Sequence, residues 1–303
     1  MSQELSRKAD LALSDLATNG GLLNAEQNNT FIRNVIDQPT IIRQLRNVTM
    51  NSPEREMPKI GIGNRMLKAA SQTAGSRALA IGDRTKPDTN KIKLQTSEVI
   101  AEIRLPYETL EDNIERGGME DTILALIAER AALDLEELIV QGDTGSADPF
   151  LALQDGVLKR LTSNVVDGTG IGITSDLFNN TVKALPTQYR RNKNQMRFFL
   201  PHDVEQDYRN EQAKRGTNLG DTTLTGEQPL RLFGSRAEGV AMLPEANGIF
   251  TNPKNILFGI QRNVRIETDK DISAREIIIV LTARIAINIE EELAAVRINN
   301  IGA

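Results

Sequence analysis

The stretch Gly117–Phe150, GGMEDTILALIAERAALDLEELIVQGDTGSADPF, decides how the rest of the chain is read. Ile123, Ile127, Ala131 and Leu135 recur at every fourth position, and Leu124, Ala128, Leu138 and Ile139 widen the same face. That period predicts an amphipathic helix of about six turns over 119–141, roughly 35 Å long. Gly142 is placed to end it, and Asp143–Pro149 to lead the chain away as a loop. No nucleophile, base or metal-ligand spacing stands beside it.

At 303 residues, with 39% hydrophobic and 25% charged, the chain reads as a globular protein able to bury a sizeable core. Aromatics are 4% with no Trp, which disfavours the stacking platforms of single-stranded nucleic-acid binders. The absence of Cys excludes disulfides, thiolate nucleophiles and Cys-ligated metal sites, and suggests a reducing compartment. The N-terminus MSQELSRKADLALSDLATNGG lacks a signal-peptide core, and no apolar run of about 18 residues exists. The expectation is synthesis in the cytosol, no membrane association, no removed leader and no cofactor.

Outward from the long helix, residues 3–17 read as a short amphipathic helix stopped by Asn19-Gly20-Gly21, followed by an arm whose TIIRQLRNVTM ends extended. Met50–Pro106 alternates like a strand at both ends, with Ile92 and Leu94, then Val99, Ala101, Ile103 and Leu105, facing one way. Such flanks predict a long hairpin with too little apolar material for a core of its own, so it must lie on something else. From Gln154 to about Pro253 short helices and strands alternate. SDLFNNTVKALPTQYRRN reads as a helix capped by Ser175, MRFFL as a buried strand, HDVEQDYRNEQAKR as a helix and GVAML as a strand. The C-terminal residues return to strands: NILFGI, NVRIET and EIIIVLTARIAINI, ending in EEELAAVRI.

Three stretches suggest chemistry and are better explained by structure. His202, the one imidazole, lies between a strand and a helix, which reads as a helix start rather than a triad member. GTGIG at 168–172 lacks the glycine spacing of a dinucleotide fingerprint and reads as a turn. GDTGSAD at 142–148 lacks the later ligands of a calcium loop. Charge is more informative. Thr30–Gln95 holds 12 Lys/Arg against 5 Asp/Glu, hence +7, while Glu98–Asp155 holds 3 Arg against 15 Asp/Glu, hence −12. A basic hairpin that cannot fold alone is thereby predicted to dock on the acidic helix region of a neighbour. The candidates are Arg65, Lys68, Arg77, Arg84 and Lys86 facing some of Glu108, Glu111, Asp112, Glu129, Glu136 and Glu137.

The order of these elements resembles the major capsid proteins of tailed bacteriophages, the Hong Kong 97 type of fold. The resemblance rests on NGGLLNAEQ opening the arm, VTMNSPEREMPKI, the return through SEVIAEIRLPYETLEDN, and the helix ending VQGDTGSADPFLALQDGVL. It extends to LPTQYRRNKNQMRFFLPHDVEQDYR, LFGSRAEGVAMLPE and REIIIVLTARIAINIEEELAAVRIN. It implies an α+β fold with an N-terminal helix and arm (1–50), an extended loop (51–105), a peripheral domain built on a spine helix (106–153 and 254–303) and an axial α/β domain (154–253). The function it implies is that of a shell subunit in the virion, assembled in the host bacterial cytoplasm. Its partners would be itself, as hexamers and pentamers, a separate scaffolding protein, a portal and, in some shells, a decoration protein. The shell would enclose double-stranded DNA without sequence-specific binding, which a net charge of −5 suits. Some members crosslink a loop Lys to a neighbour's Asn. Lys68, Lys86 and Asn288 occupy roughly suitable segments, but residues so common assign no site. Two other readings stay open: an encapsulin-like nanocompartment shell, and an unrelated α/β enzyme using carboxylates such as Glu129 and Asp134.

Overall fold

The computed structural model describes residues 41–61, 67, 84, 88–107, 119–214 and 230–302. The strongest apolar alternation in the sequence forms its longest ribbon. Strand β10 (Ile256–Asp271) pairs antiparallel with β11 (Glu276–Ile289) from Ile256↔Ile289 to Asp271↔Glu276. NILFGI and NVRIET, expected as separate strands, are one strand carried through register shifts between Ile260 and Arg265. On β11 alternate residues from Ile277 to Ile285 are buried, so one face of the ribbon is core.

Strand β1 (Arg46–Thr49), the extended end of the arm, adds parallel to β10. Strand β4 (Ser97–Pro106) adds antiparallel to β11, from Ser97↔Ile285 to Pro106↔Glu276, giving a sheet in the order β1-β10-β11-β4. This corrects the extent of the hairpin. Its two strands are β2 (Glu54–Gly61) and β3 (Asp88–Gln95), while 97–105, expected inside the loop, joins the ribbon because its Val99 and Leu105 are buried there.

Helix α1 spans Met119–Gln141, the expected 23 residues, and touches two separate cores. Ile123 and Ile127 pack with Leu105, Ile277 and Ile279 at the far end of the ribbon. Leu135, Leu138, Ile139 and Val140 join the largest cluster, which also takes in Ile285, Ile287, Phe258, Phe199 and Ile249. The helix ends where the backbone doubles back: Gly156 N–H donates to the Gly142 carbonyl at 2.7 Å. A short helix α2 (Val157–Arg160) follows.

The α/β lobe is a six-stranded sheet in the order β5-β12-β9-β6-β8-β7. Its strands are β5 (Val165–Asp167), β6 (Arg197–Leu200), β7 (Arg231–Leu232), β8 (Ser235–Gly239), β9 (Gly248–Thr251) and β12 (Ala295–Asn299). Helices α3 (Ser175–Ala184) and α4 (His202–Ala213) cover it through Phe178, Phe198, Tyr208 and Phe250. Three expectations change here. The α3 helix stops at Ala184 because Pro186 follows, and 187–195 is a 3-10 segment. The strand lies at Ser235–Gly239, so most of GVAML is a turn. Strand β12, expected with the peripheral strands, lies inside the lobe's sheet between β5 and β9, where Val296 and Ile298 are buried.

The β7–β8 connection is a two-residue turn with Phe233 at φ 50° and Gly234 at φ 92°. Left-handed backbone costs an L-residue about 1–2 kcal/mol, and Asn-Gly is the usual choice for such turns.

Candidate assembly surfaces

The root of the hairpin is bound to its own subunit. Leu94 of β3 is fully buried with Val48, Met50, Leu257 and Ala286, and Met57 and Ile92 pack against them. Gln154, in the loop after α1, is the polar hub of this joint. Its Nε2 donates to the carbonyls of Gln95 (3.0 Å) and Ile285 (2.8 Å) and to Ser97 Oγ (3.1 Å), and its Oε1 accepts from Ile287 N–H at 2.9 Å. One side chain thus connects the hairpin's exit, the ribbon and the end of α1. No periodicity marks it in the sequence.

Cations at the root are engaged within the subunit. Lys91 pairs with Glu56 at 2.7 Å and Lys93 with Glu54 at 3.0 Å, both across the hairpin. Lys59 reaches Glu291, and Arg46 reaches Glu290 at 2.7 Å. The Lys91–Glu56 hydrogen bond and charge pairing lower the Glu56 pKa and raise that of Lys91. Of the expected contact cations, Arg84 is exposed, whereas Arg65, Lys68, Arg77 and Lys86 lie outside the described residues, as do Glu108, Glu111 and Asp112.

The acidic side divides in two. Glu129 and Glu137 are half-buried on α1, but Glu136 is fully buried. Successive helical residues point about 100° apart, so Glu137 faces outward while Glu136 faces in. Glu136 Oε1 accepts the Ile41 N–H at 2.7 Å, which removes it from any contact surface and overturns its place among the candidates. Three residues on, the Gln44 side chain donates to Glu238 of β8, a carboxylate also paired with Arg197 and Arg236 at 3.4 Å each. With Ile41 and Leu45 buried in the largest core, residues 41–45 therefore lie between α1 and the α/β lobe.

The remaining candidates have structural roles. His202 starts α4 with its ring against Gly239. GTGIG is a turn after β5. In the loop after α1, Asp143 accepts the Gly145 N–H and pairs with Lys159, and both interactions lower its pKa. Asn288 donates to the Lys93 carbonyl at 2.7 Å. Asp134 pairs with Arg130 at 2.8 Å along the flank of α1. Among the described residues, no group of three or more His, Asp or Glu side chains is placed to hold a metal, and no helix is long and apolar enough to cross a membrane.

No family model matches the chain. It is 42% identical over 309 residues to YqbE of Bacillus subtilis (strain 168), described as a prophage capsid protein, with 98% of each chain covered. Among solved structures it resembles the capsid of a native GTA particle, with TM-score 0.71 and 17% identity over 96% of this chain and 99% of that one. The chain from Mycobacterium phage Bobi superposes with TM-score 0.65 and 13% identity over 97% of this chain and 100% of that one.

Proposed function

The chain belongs to the prophage capsid proteins and has the Hong Kong 97-type capsid fold of the tailed phages, and from that premise we propose how it builds a shell. It is a major capsid protein, a structural component of the virion. Copies associate as hexamers and pentamers into a closed icosahedral head around double-stranded DNA, with a separate scaffolding protein and a portal as partners during assembly in the host cytoplasm. A subunit net charge of −5 favours repulsion from packaged phosphates over adhesion to them. Its role is that of a building block rather than a catalyst. The observation that carries this reading is the end-to-end relationship to a prophage capsid protein.

In domain terms, the arm runs to residue 50 and the extended loop centres on β2–β3. The ribbon with β4 and α1 forms the peripheral domain, and the α/β lobe with β12 forms the axial domain. We assign the hairpin beyond Gly61 to a neighbour: Arg65, Lys68, Arg77, Arg84 and Lys86 of one copy lie across Glu129 and Glu137 of the next. In support, the named cations fall in the sequence between the two hairpin strands, after Gly61 and before Asp88, in a stretch of net positive charge opposite in sign to the helix region.

Electron microscopy of the chain co-expressed with a scaffolding partner tests the function, with closed shells of uniform size expected. Small oligomers alone would refute it. Nuclease-protected genomic DNA in phage-derived particles distinguishes a phage head from a nanocompartment, which would hold protein cargo.

A further inference from the structure

The six-stranded sheet carries exposed apolar side chains at both of its edges. Phe233, at the β7–β8 turn, is 45% exposed; across the sheet, Val165 of β5 is 45% exposed and Leu293, in the turn before β12, is 43% exposed. The strand register places Phe233 and Leu293 at the same end. One row runs Arg231↔Arg236↔Arg197↔Thr251↔Ala295 across β7, β8, β6, β9 and β12. Phe233 lies just beyond the first member of that row and Leu293 just before the last. The Asn164 side chain donates to the carbonyls of Leu293 and Ala295 at 3.0 Å, which ties the start of β5 to the turn that carries Leu293, while Val165 itself pairs with Arg297.

The two edges also differ in charge. Arg231 and Arg236 are exposed at the Phe233 edge. Glu292 adjoins Leu293, and Asp167 ends β5. Burial works against ionisation of Glu292, but hydrogen bonds from Thr162 and Ser163 outweigh it and keep its carboxyl below the usual range. An aromatic held in left-handed backbone while nearly half exposed gains little within its own subunit, and such outliers concentrate where function holds them.

We propose that these edges meet head to tail between copies of this chain, with Phe233 of one subunit seated on Leu293 of the next and Arg231 approaching Glu292. Opposite edges of one body make a heterologous contact, which closes into a ring when the rotation between copies fits. A buried aromatic with a cation beside it is the usual centre of such an interface. This inference rests on the shell reading and specifies which surfaces of the α/β lobe hold a capsomer together.

The chain has no Cys, so a disulfide test is clean. Within one subunit the two positions are separated by four strand spacings, roughly 19 Å, far beyond the ~7 Å that a disulfide can bridge. Shells of the double variant Phe233→Cys/Leu293→Cys, oxidised and then denatured without reductant, should give a ladder of covalent multimers rising to closed rings of five and six. Phe233→Cys alone should stay monomeric under the same treatment. Phe233→Gly, which relieves the backbone, should leave the melting temperature of the unassembled subunit unchanged or raised while assembly falls on the order of ten-fold or more. Shells that form without a ladder, dimers from Phe233→Cys alone, or full assembly by Phe233→Gly would each overturn the contact and leave the shell reading standing. If the unmodified chain forms no shells, the shell reading itself fails.

Discussion

Gly142 and Gly156 let two stretches of backbone meet where a side chain would not fit. A Cβ on Gly142 would lie 2.3 Å from the Gln154 carbonyl oxygen, and one on Gly156 would lie 2.7–2.9 Å from three backbone atoms of 139–142. The obstructing atoms are main chain and cannot swing aside. Gly142→Ala or Gly156→Ala should therefore destabilise the unassembled subunit by about 1–3 kcal/mol. Gly145→Ala, which meets only an Asp143 side-chain oxygen at 3.3 Å, should change stability by no more than about 0.5 kcal/mol. Thermal melting of the three variants measures the contrast, and equal shifts would refute it. The same loop presents Gln154, so a strained turn here would also disturb the four hydrogen bonds at the hairpin root.

Among the described residues, the hairpin meets the ribbon at its base, through Leu94, Met57 and Ile92. Arg77 and Arg84 are not among the residues of that core. Replacing both Arg77 and Arg84 by Glu should block shell formation while the circular dichroism and melting of the subunit stay as they were. Each exposed ion pair is worth only about 0.2–1 kcal/mol, but the contact recurs in every copy. Assembly should also weaken with salt, because the screening length falls from ~8 Å at about 0.15 M to ~3 Å at about 1 M. Light scattering across that range measures the effect. Normal shells from the double variant, or salt-independent assembly, would sink the docking proposal.

Across the whole molecule, carboxylates held by hydrogen bonds make stability depend on acid. Asp143, Asp155, Asp167 and Asp271 have pKa values lowered from the ordinary 3.8, and Glu292 from 4.5, chiefly because N–H and hydroxyl groups donate to them. A depressed folded-state pKa stabilises fully above the unfolded value, and that contribution is lost as pH falls through the folded value. The melting temperature of the subunit should thus hold steady from neutrality to about pH 5 and drop below it. Glu292→Gln should lower the plateau and flatten the drop; a rise in melting temperature on acidification would contradict this. The sequence by itself determined the spine helix, the ribbon strand β11 and the order of elements, because apolar periods of 3.6 and 2 are local and extend over many residues. It also showed the opposed charge of hairpin and helix. The tertiary structure alone decided that Glu136 is a buried anchor beside outward-facing Glu137, that β4 leaves the hairpin for the ribbon, and that β12 enters the other sheet. It also decided that Phe233 and Leu293 occupy opposite edges at one end of that sheet. These depend on which distant strands pair and which side of a helix meets a second core, and no local spacing encodes a partner that lies far away along the chain.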